Sequence, residues 1–444
     1  MSAEQMVAME MPTRLGLFRV FVWAGPRGQE RVALVTPTLD PSRDVMVRVH
    51  SECLTGDVFH SLTCDCGPQK ELALKKLHEH GNGIFVYHRQ EGRNLGLFKK
   101  IQSYNLMQNG MDTHEAILSI AGHPDPRDYA EVLTVLDDLL GGQKGTIKLL
   151  TNNPYKALFL ERHGYHVVVE QLRAGASVHN ASYTRAKTEK FLHNTVGYVP
   201  YTSVTLARTD IENSKAIEDI IRAAHPSSVG RKLFFGVSLY PTAEELKNTK
   251  LLENLAAQLA TLHNSIVATE NAHLVLHVYY PLTRLTQRNL KRFLGELPFD
   301  FSLQFRLPDD VSDIRVDVDL IDSLHGQHVI FQLTAKHFFL LEQRSFVDYF
   351  SSPNKFIMLD QSFGHGIKEH LDITKEKILK LISRGLSRVS VAGGYGPDNV
   401  SHVHELEDYF KIPISVDAES KLRTDGHLDA AKVAKYLEFF FPNR

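Results

Sequence analysis

The chain is 444 residues long, 43% hydrophobic and 23% charged, with a formal net charge of −2. That length and apolar content suit two to four ordinary domains with real cores. A near-neutral balance excludes the global basic excess expected of a protein that coats a nucleic acid polymer or an anionic membrane, though a local cluster would still serve one phosphorylated small molecule.

Taken in chain order, the first stretch, MSAEQMVAMEMPTRLG, lacks a charged segment followed by an apolar one, and no later run is apolar for long enough to span a bilayer. A soluble cytoplasmic protein is expected. VALVTPTL (32–39) and VMVRVHS (45–51) read as strands from their β-branched alternation. PQKELALKKLHEHG (68–81) has apolar residues at intervals of three and four and closes on Gly81, a helix pattern. GIFVYHRQ (83–90) is a strand, IQSYNLMQNG (101–110) a helix stopped by Gly110, and TIKLLTNNP (146–154) a strand entering a turn.

Beyond HNTVGYVPYT (193–202), a short junction, the rhythm changes. Apolar runs at 203–207, 233–240, 273–280, 301–306, 328–333, 355–360, 388–394 and 414–420 alternate with helical patterns such as TKEKILKLISRG. Strands each followed by a helix are the arithmetic of a (β/α)8 barrel. A doubly wound open sheet is the alternative, because alternation alone does not show closure. The expected fold is therefore mixed: an α+β domain over 1–193, a junction over 194–202 and a (β/α)8 barrel-like domain over 203–444.

All three cysteines, Cys53, Cys64 and Cys66, fall within SECLTGDVFHSLTCDCG (51–67). Three thiols make no disulfide framework. Burial as small hydrophobes would explain neither their clustering nor the polar Asp65 between two of them. Thiolates bind zinc, and a site of three protein ligands leaves the fourth position for water. A closed structural site would need one more ligand, which His50 or His60 could supply.

RVHSECLTGDVFHSLTCDCG resembles the zinc-binding signature of the GTP cyclohydrolase II family. The likeness continues through YHRQEGRNLGL (87–97), DTHEA (112–116), PRDY (126–129) and LLTNNPYK (149–156), and covers roughly residues 12–193. The resemblance implies a homodimeric zinc enzyme that opens the imidazole ring of GTP and releases formate and pyrophosphate. The product would be 2,5-diamino-6-ribosylamino-4(3H)-pyrimidinone 5′-phosphate, a step toward riboflavin. It implies zinc on Cys53, Cys64 and Cys66, activating water for attack at C8, and Mg2+ with the triphosphate. Substrate contacts would fall to Arg48, Val49, His50, Ser51, Glu52, Gln69, Glu91, Gly92, Arg93, Thr113, Thr151 and Lys156. Glu91 or another acceptor would read the guanine edge. Arg127 would correspond to the residue held to attack the α-phosphate, with Asp125 as its proton acceptor; a clamp on the departing pyrophosphate is the other role open to it. Tyr104 would assist at the ring. Read without the family, Thr113 could simply cap a helix, with Glu115 close behind. Thr63 stands where the family has arginine.

In the second half, FIMLDQSFGHGI, RVSVAGGYGPDNV and ISVDAESKLRTDGHLDAAKV resemble the last three strands of phosphoribosylanthranilate isomerase, a barrel enzyme, and FFGVSLYP its second strand. The resemblance implies Asp360 as a general acid at a strand end. Gly393 and Gly394, a helix opening near Pro397, and the loop carrying Ser420 would hold a phosphate. The isomerase's basic cysteine has no counterpart: SVTLARTD offers Ala207, Arg208 and Asp210. The barrel is expected to bind or transform the ribosylamine phosphate made by the first half. The alternatives are a variant enzyme stopping at a formylated intermediate, and a diverged nucleotide-binding regulator.

Overall fold

The structure, a computed structural model, describes residues 5–25, 30–174, 179–193, 199–212, 217, 220, 231–269, 272–281, 283–307, 314–360 and 371–441. The chain divides into two compact units, 1–196 with 408–412, and 197–407 with 413–444. Part of the junction read from the sequence, 194–198, lies outside the described residues, as does the loop of FIMLDQSFGHGI beyond Asp360.

The first unit is built on a seven-stranded mixed sheet. Its strands are β1 (Gln5–Thr13), β2 (Gly16–Ala24), β3 (Glu30–Val35), β4 (Val45–Ser51), β5 (Gly83–His88), β6 (Thr146–Leu150) and β7 (His166–Glu170), in the order β1-β2-β3-β5-β4-β6-β7. β1, β2, β3 and β5 pair antiparallel; β5, β4, β6 and β7 run parallel. β4 is covered on both faces, so it reads as a nearly unbroken buried run. Val45, Val47 and Val49 join one core with Ile84, Val86, Ile147 and Leu149. Met46 packs on the other face with Phe85 and Leu77. Strand periodicity then puts Arg48 and His50 on the Met46 face, directly before the cysteines.

Several boundaries differ from the sequence reading. The strand expected over 32–39 ends at Val35, because Thr36 exchanges hydrogen bonds with Gly83 (Thr36 N to Gly83 O, 3.0 Å; Gly83 N to Thr36 Oγ1, 2.9 Å) and the chain turns away. The helix Cys66–His80 ends as expected on Gly81, whose φ of 77° needs a residue without Cβ strain. The helix read over 101–110 begins earlier, at Gly96, and runs to Gln108. The β1–β2 hairpin was not read from the sequence at all.

The second unit is a closed barrel of eight parallel strands: β8 (Tyr201–Ala207), β9 (Lys232–Ser238), β10 (Ala272–Tyr279), β11 (Ser302–Arg306), β12 (Val329–Leu333), β13 (Lys355–Asp360), β14 (Val389–Ala392) and β15 (Ser415–Ala418). Closure runs through β15 against β8, with Asp417 beside Ser203, and β9 against β10. That closure overturns the open-sheet alternative. Helices of nine or more residues follow β9, β10, β13, β14 and β15. The interior is apolar toward the strand starts, where Tyr201, Phe234, Val275, Ile330, Phe356 and Met358 cluster and the rings of Tyr201 and Phe234 stack at 4.4 Å. Two residues further along, the same inward rows become polar: Val275 gives way to His277, Ile330 to Gln332 and Met358 to Asp360. Among the described residues no helix is long and apolar enough to cross a membrane.

Candidate active site

The carboxyl end of β4 delivers the chain into a tight loop that gathers the thiols. The Sγ atoms of Cys53, Cys64 and Cys66 all lie within 4.8 Å of one another, with Cys53 and Cys64 at 3.6 Å. Among the described residues they are the whole of this metal-ligating group. His60 is exposed, with a left-handed φ of 55°. The Nε2 of His50 donates to the Asp57 carboxylate at 3.0 Å instead of turning to the sulfurs. Neither histidine therefore closes the set. Asp57 is the loop's organiser: it also accepts from Cys53 N and from the Tyr87 hydroxyl, each at 3.1 Å. Gly56 lies so close that a Cβ there would meet Cys64 Sγ at 2.9 Å and Cys53 Sγ at 3.1 Å. A side chain at 56 would push the sulfurs apart.

The donor set fits a thiophilic ion. Hydrogen bonds from Cys64 and Cys66, then the nearby Lys100 ammonium, draw the Cys53 thiol well below the ordinary range. Lys100 Nζ stands 3.1 Å from Cys53 Sγ and 2.8 Å from Glu91 Oε1. Hydrogen bonding to Cys53 and Cys64, then burial, pushes Cys66 up, so one thiolate forms first and shares its charge with its neighbours.

Around the sulfurs lies a cavity lined by seven basic side chains, among them Arg48, Arg93, Arg127, Lys156 and Lys187, against only two carboxylates, Glu52 and Glu91. That excess suits a polyanion. Arg48 is buried; its guanidinium donates to Leu150 O and Gln69 Oε1, both at 2.9 Å, and burial brings it down to about 10. Gln69 donates on to Asp65 at 2.6 Å, and Asp65 takes Lys187 Nζ at 2.8 Å. This explains the polar residue between two cysteines: Asp65 ties the metal loop to the anion pocket. Lys156 donates to Val49 O at 2.9 Å.

The segment Gly92–Asn94 holds three successive left-handed residues, φ 60°, 59° and 68°. Two of them are not glycine, a strained turn of the kind retained at working sites. It lays the Arg93 guanidinium 4.2 Å over the Phe191 ring. Arg127 grips Asp125 through two parallel hydrogen bonds, Nε to Oδ1 at 2.8 Å and Nη2 to Oδ2. Burial opposes charge on both, yet the pairing prevails: Asp125 falls and Arg127 rises.

The model of the family described as GTP cyclohydrolase II matches residues 4–172. A GTP cyclohydrolase-2 of Histophilus somni is 41% identical over 196 residues, which are 44% of this chain and 89% of that protein. The chain belongs to the GTP cyclohydrolase II family. Another GTP cyclohydrolase-2, from Neisseria gonorrhoeae, is 40% identical over 191 residues, 43% of this chain and 95% of its own. For the second unit, phosphoribosyl anthranilate isomerase of Thermotoga maritima overlays 55% of this chain and 98% of its own, with a TM-score of 0.35 at 13% identity. The barrel itself is established by the strand pairing above.

Within the cyclohydrolase II unit, Arg48, His50, Ser51, Glu52, Gln69, Glu91, Gly92, Arg93, Tyr104, Thr113, Arg127, Thr151 and Lys156 all line the one cavity, with Cys53 and Cys66. Val49 does not: its side chain packs in the core and only its carbonyl serves the site, through Lys156. Thr113 is not the helix cap. Asp112 is, in a capping box with Glu115, because its carboxylate accepts from His114 N and Glu115 N. Both Glu91 oxygens are engaged inside the protein, with Leu54 N at 2.6 Å and with Gly92 N and Lys100 at 2.8 Å. Glu91 thus holds the metal loop. Thr63 is half-buried, gives its N–H to Ser61 Oγ at 3.2 Å and lies outside the cavity lining. Lys100, Asp57 and Lys187 were missed in the sequence. YHRQEGRNLGLFKK offers two adjacent lysines, but nothing local says that one of them meets a sulfur.

In the barrel, Asp360, Gly393, Gly394 and Ser420 line one cavity of about 320 Å3 at the carboxyl ends of the strands. Gly393 and Gly394 are left-handed, φ 89° and 82°. The helix expected to open near Pro397 starts later, at Ser401. Asn399 closes a turn first, accepting from Gly396 N at 2.9 Å and donating to Gly394 O at 2.8 Å.

Proposed function

We propose that the first unit catalyses the zinc-dependent opening of GTP. One water opens the imidazole ring at C8 to a formamide, a second releases formate, and a third divides the α-phosphate from pyrophosphate. The product is 2,5-diamino-6-ribosylamino-4(3H)-pyrimidinone 5′-phosphate, on a route of the riboflavin type. The observation that carries the reading is the convergence of three thiols, with no fourth protein ligand among the described residues, on the edge of a cavity with a large cationic excess.

Cys53, Cys64 and Cys66 would hold the ion, which supplies a Lewis acid and an acidified water near C8. Lys100 keeps Cys53 as thiolate and Glu91 fixes Lys100. Arg48, Arg93 and Lys156 bind the triphosphate with its Mg2+. Tyr104 stands at the base. Arg127, kept protonated by Asp125, has no lone pair to attack phosphorus. Its role is to hold the charge that gathers on the leaving pyrophosphate, the clamp reading of the two that its sequence allowed. The active unit corresponds to 1–193 and works as a homodimer. In the barrel domain, 203–444, Gly393, Gly394 and Ser420 take a phosphate, with Asp360 facing the ligand body.

The test is zinc-loaded full-length protein with GTP and Mg2+, following formate, pyrophosphate and nucleotide product together, with Cys64→Ser as control. The reading expects all three products in equal amounts and loss of zinc and turnover in the variant. Pyrophosphate without formate, or unchanged turnover in Cys64→Ser, would refute it.

A further inference from the structure

The second unit has a polar layer where a barrel interior is normally packed with branched apolar chains. Five side chains from five strands form it, all less than a tenth exposed: His277 of β10, Gln304 of β11, Gln332 of β12, Asp360 of β13 and Asp417 of β15. Burying so many polar groups is costly unless something satisfies them. Part of the layer satisfies itself. Gln304 Nε2 donates to Gln332 Oε1 at 3.4 Å, and Gln332 Nε2 donates to Asp360 Oδ2 at 2.7 Å. Thr205 donates to Asp417 at 2.7 Å. Part does not: among the described residues the Nε2 of His277, a residue only 2% exposed, has no hydrogen-bond partner. Burial also pushes that imidazole down to about 3, so it stands neutral and offers one donor and one acceptor. The same five residues line the cavity at the barrel mouth.

The chemistry of this floor selects a ligand. Three carboxyl groups, Asp360, Asp417 and Glu419, face the cavity against one guanidinium, that of Arg306; burial raises Asp417 and brings Glu419 up to about 7, which lessens the acidic excess without cancelling it. An anionic ring would be repelled there, whereas N–H donors would be drawn in. Carboxamides pair edge-on with groups that donate and accept side by side, as lactams and amidines do. We propose that the barrel mouth is a second small-molecule site whose floor of His277, Gln304, Gln332 and Asp360 recognises a ring carrying amino groups and a ring carbonyl. A phosphate on the same ligand would lie toward Gly393 and Gly394. The ring-opened product of the first unit has these features, so the inference rests on the proposed activity for the identity of the ligand, though not for the existence of the site.

The test is calorimetric titration of zinc-loaded full-length protein with that diaminopyrimidinone phosphate, made independently with a known GTP cyclohydrolase-2. Two sites per chain are expected, one in each unit. Gln332→Leu and Gln332→Glu should each weaken only one of them, at least tenfold, while formate release from GTP stays at the wild-type rate and the melting profile shows a folded protein. The glutamate keeps the shape of the layer and adds repulsion, so it decides the matter if the leucine variant fails to fold. Ribose 5-phosphate should compete at least tenfold more weakly than the full compound at the barrel site. A single site per chain indifferent to both substitutions would overturn the proposal, and so would equal competition by ribose 5-phosphate, which would mean that the ring is not read. Failure of GTP turnover in the wild type would instead refute the activity of the first unit and leave the titration standing as a test of the barrel.

Discussion

The two cavities of this chain hold their charges in opposite ways. In the first unit seven Lys and Arg side chains surround two carboxylates, and several of those cations are themselves braced by buried acids such as Asp65 and Asp125. In the barrel mouth three carboxyl groups face one arginine, and the floor is made of neutral amides and an imidazole. A cationic pocket next to thiolates can neutralise a triphosphate and an ion together. An acidic pocket floored by amides cannot, which fits the proposed ligand with a single phosphate better than a triphosphate. Unequal charge thus distinguishes the two cavities more sharply than either fold does, since folds of these kinds host many chemistries.

The sharpest way to break the comparison is at Arg127. If it is a clamp, Arg127→Lys keeps the charge but loses the fork and should lower turnover by about 10²–10³, in the range seen when one preorganised donor is removed. Pyrophosphate release should fall more than formate release, because the clamp acts only on the phosphate step, and rapidly quenched wild-type protein should show no mass increase in its intact spectrum. A nucleotidyl adduct on the protein would restore the nucleophile role and defeat the clamp. Next in size is the brace on the metal. Lys100→Met removes the ammonium 3.1 Å from Cys53 Sγ. Zinc affinity, measured by competition with a chromophoric chelator, should fall by about 10–100-fold, the usual cost of losing a partner behind a ligand. An unchanged affinity would reduce Lys100 to a substrate contact.

Much of this was legible beforehand, for unequal reasons. Thiolate chemistry demands particular residue types close together, so Cys53, Cys64 and Cys66 announced themselves within a fourteen-residue window. Barrel strands announced themselves because each is a β-branched or aromatic run of the right length between helical patterns. Lys100 and Lys187 did not, since their partners Cys53 and Asp65 lie 47 and 122 residues away in the chain. Nor did Thr113 reveal that its neighbour Asp112 caps the helix, because either residue type caps well. The polar barrel floor left a faint trace: FSLQFR and HVIFQL each carry a single glutamine flanked by apolar residues, Leu303 and Phe305 in one and Phe331 and Leu333 in the other. Only the strand register shows that the two side chains meet.

The smallest effect bears on the barrel side of the contrast and is thermodynamic. Burial holds His277 down to about 3, whereas the unfolded chain returns it to about 6.5. Between those values the unfolded state binds a proton that the folded state refuses. Stability is therefore complete above pH ~6.5 and drains away as pH falls toward ~3, by about 1.4 kcal/mol per pH unit for this one group. His277→Phe removes that proton from the balance. Urea unfolding of both proteins at about pH 7 and about pH 5 should show the wild type losing roughly 2 kcal/mol more than the variant over the interval. Other buried histidines, such as His328, contribute equally to both proteins and cancel in the difference. Identical losses would mean that His277 takes up its proton without unfolding. The imidazole would then be open to water and charged in mild acid, and a floor of that kind would no longer favour a neutral, amine-bearing ring.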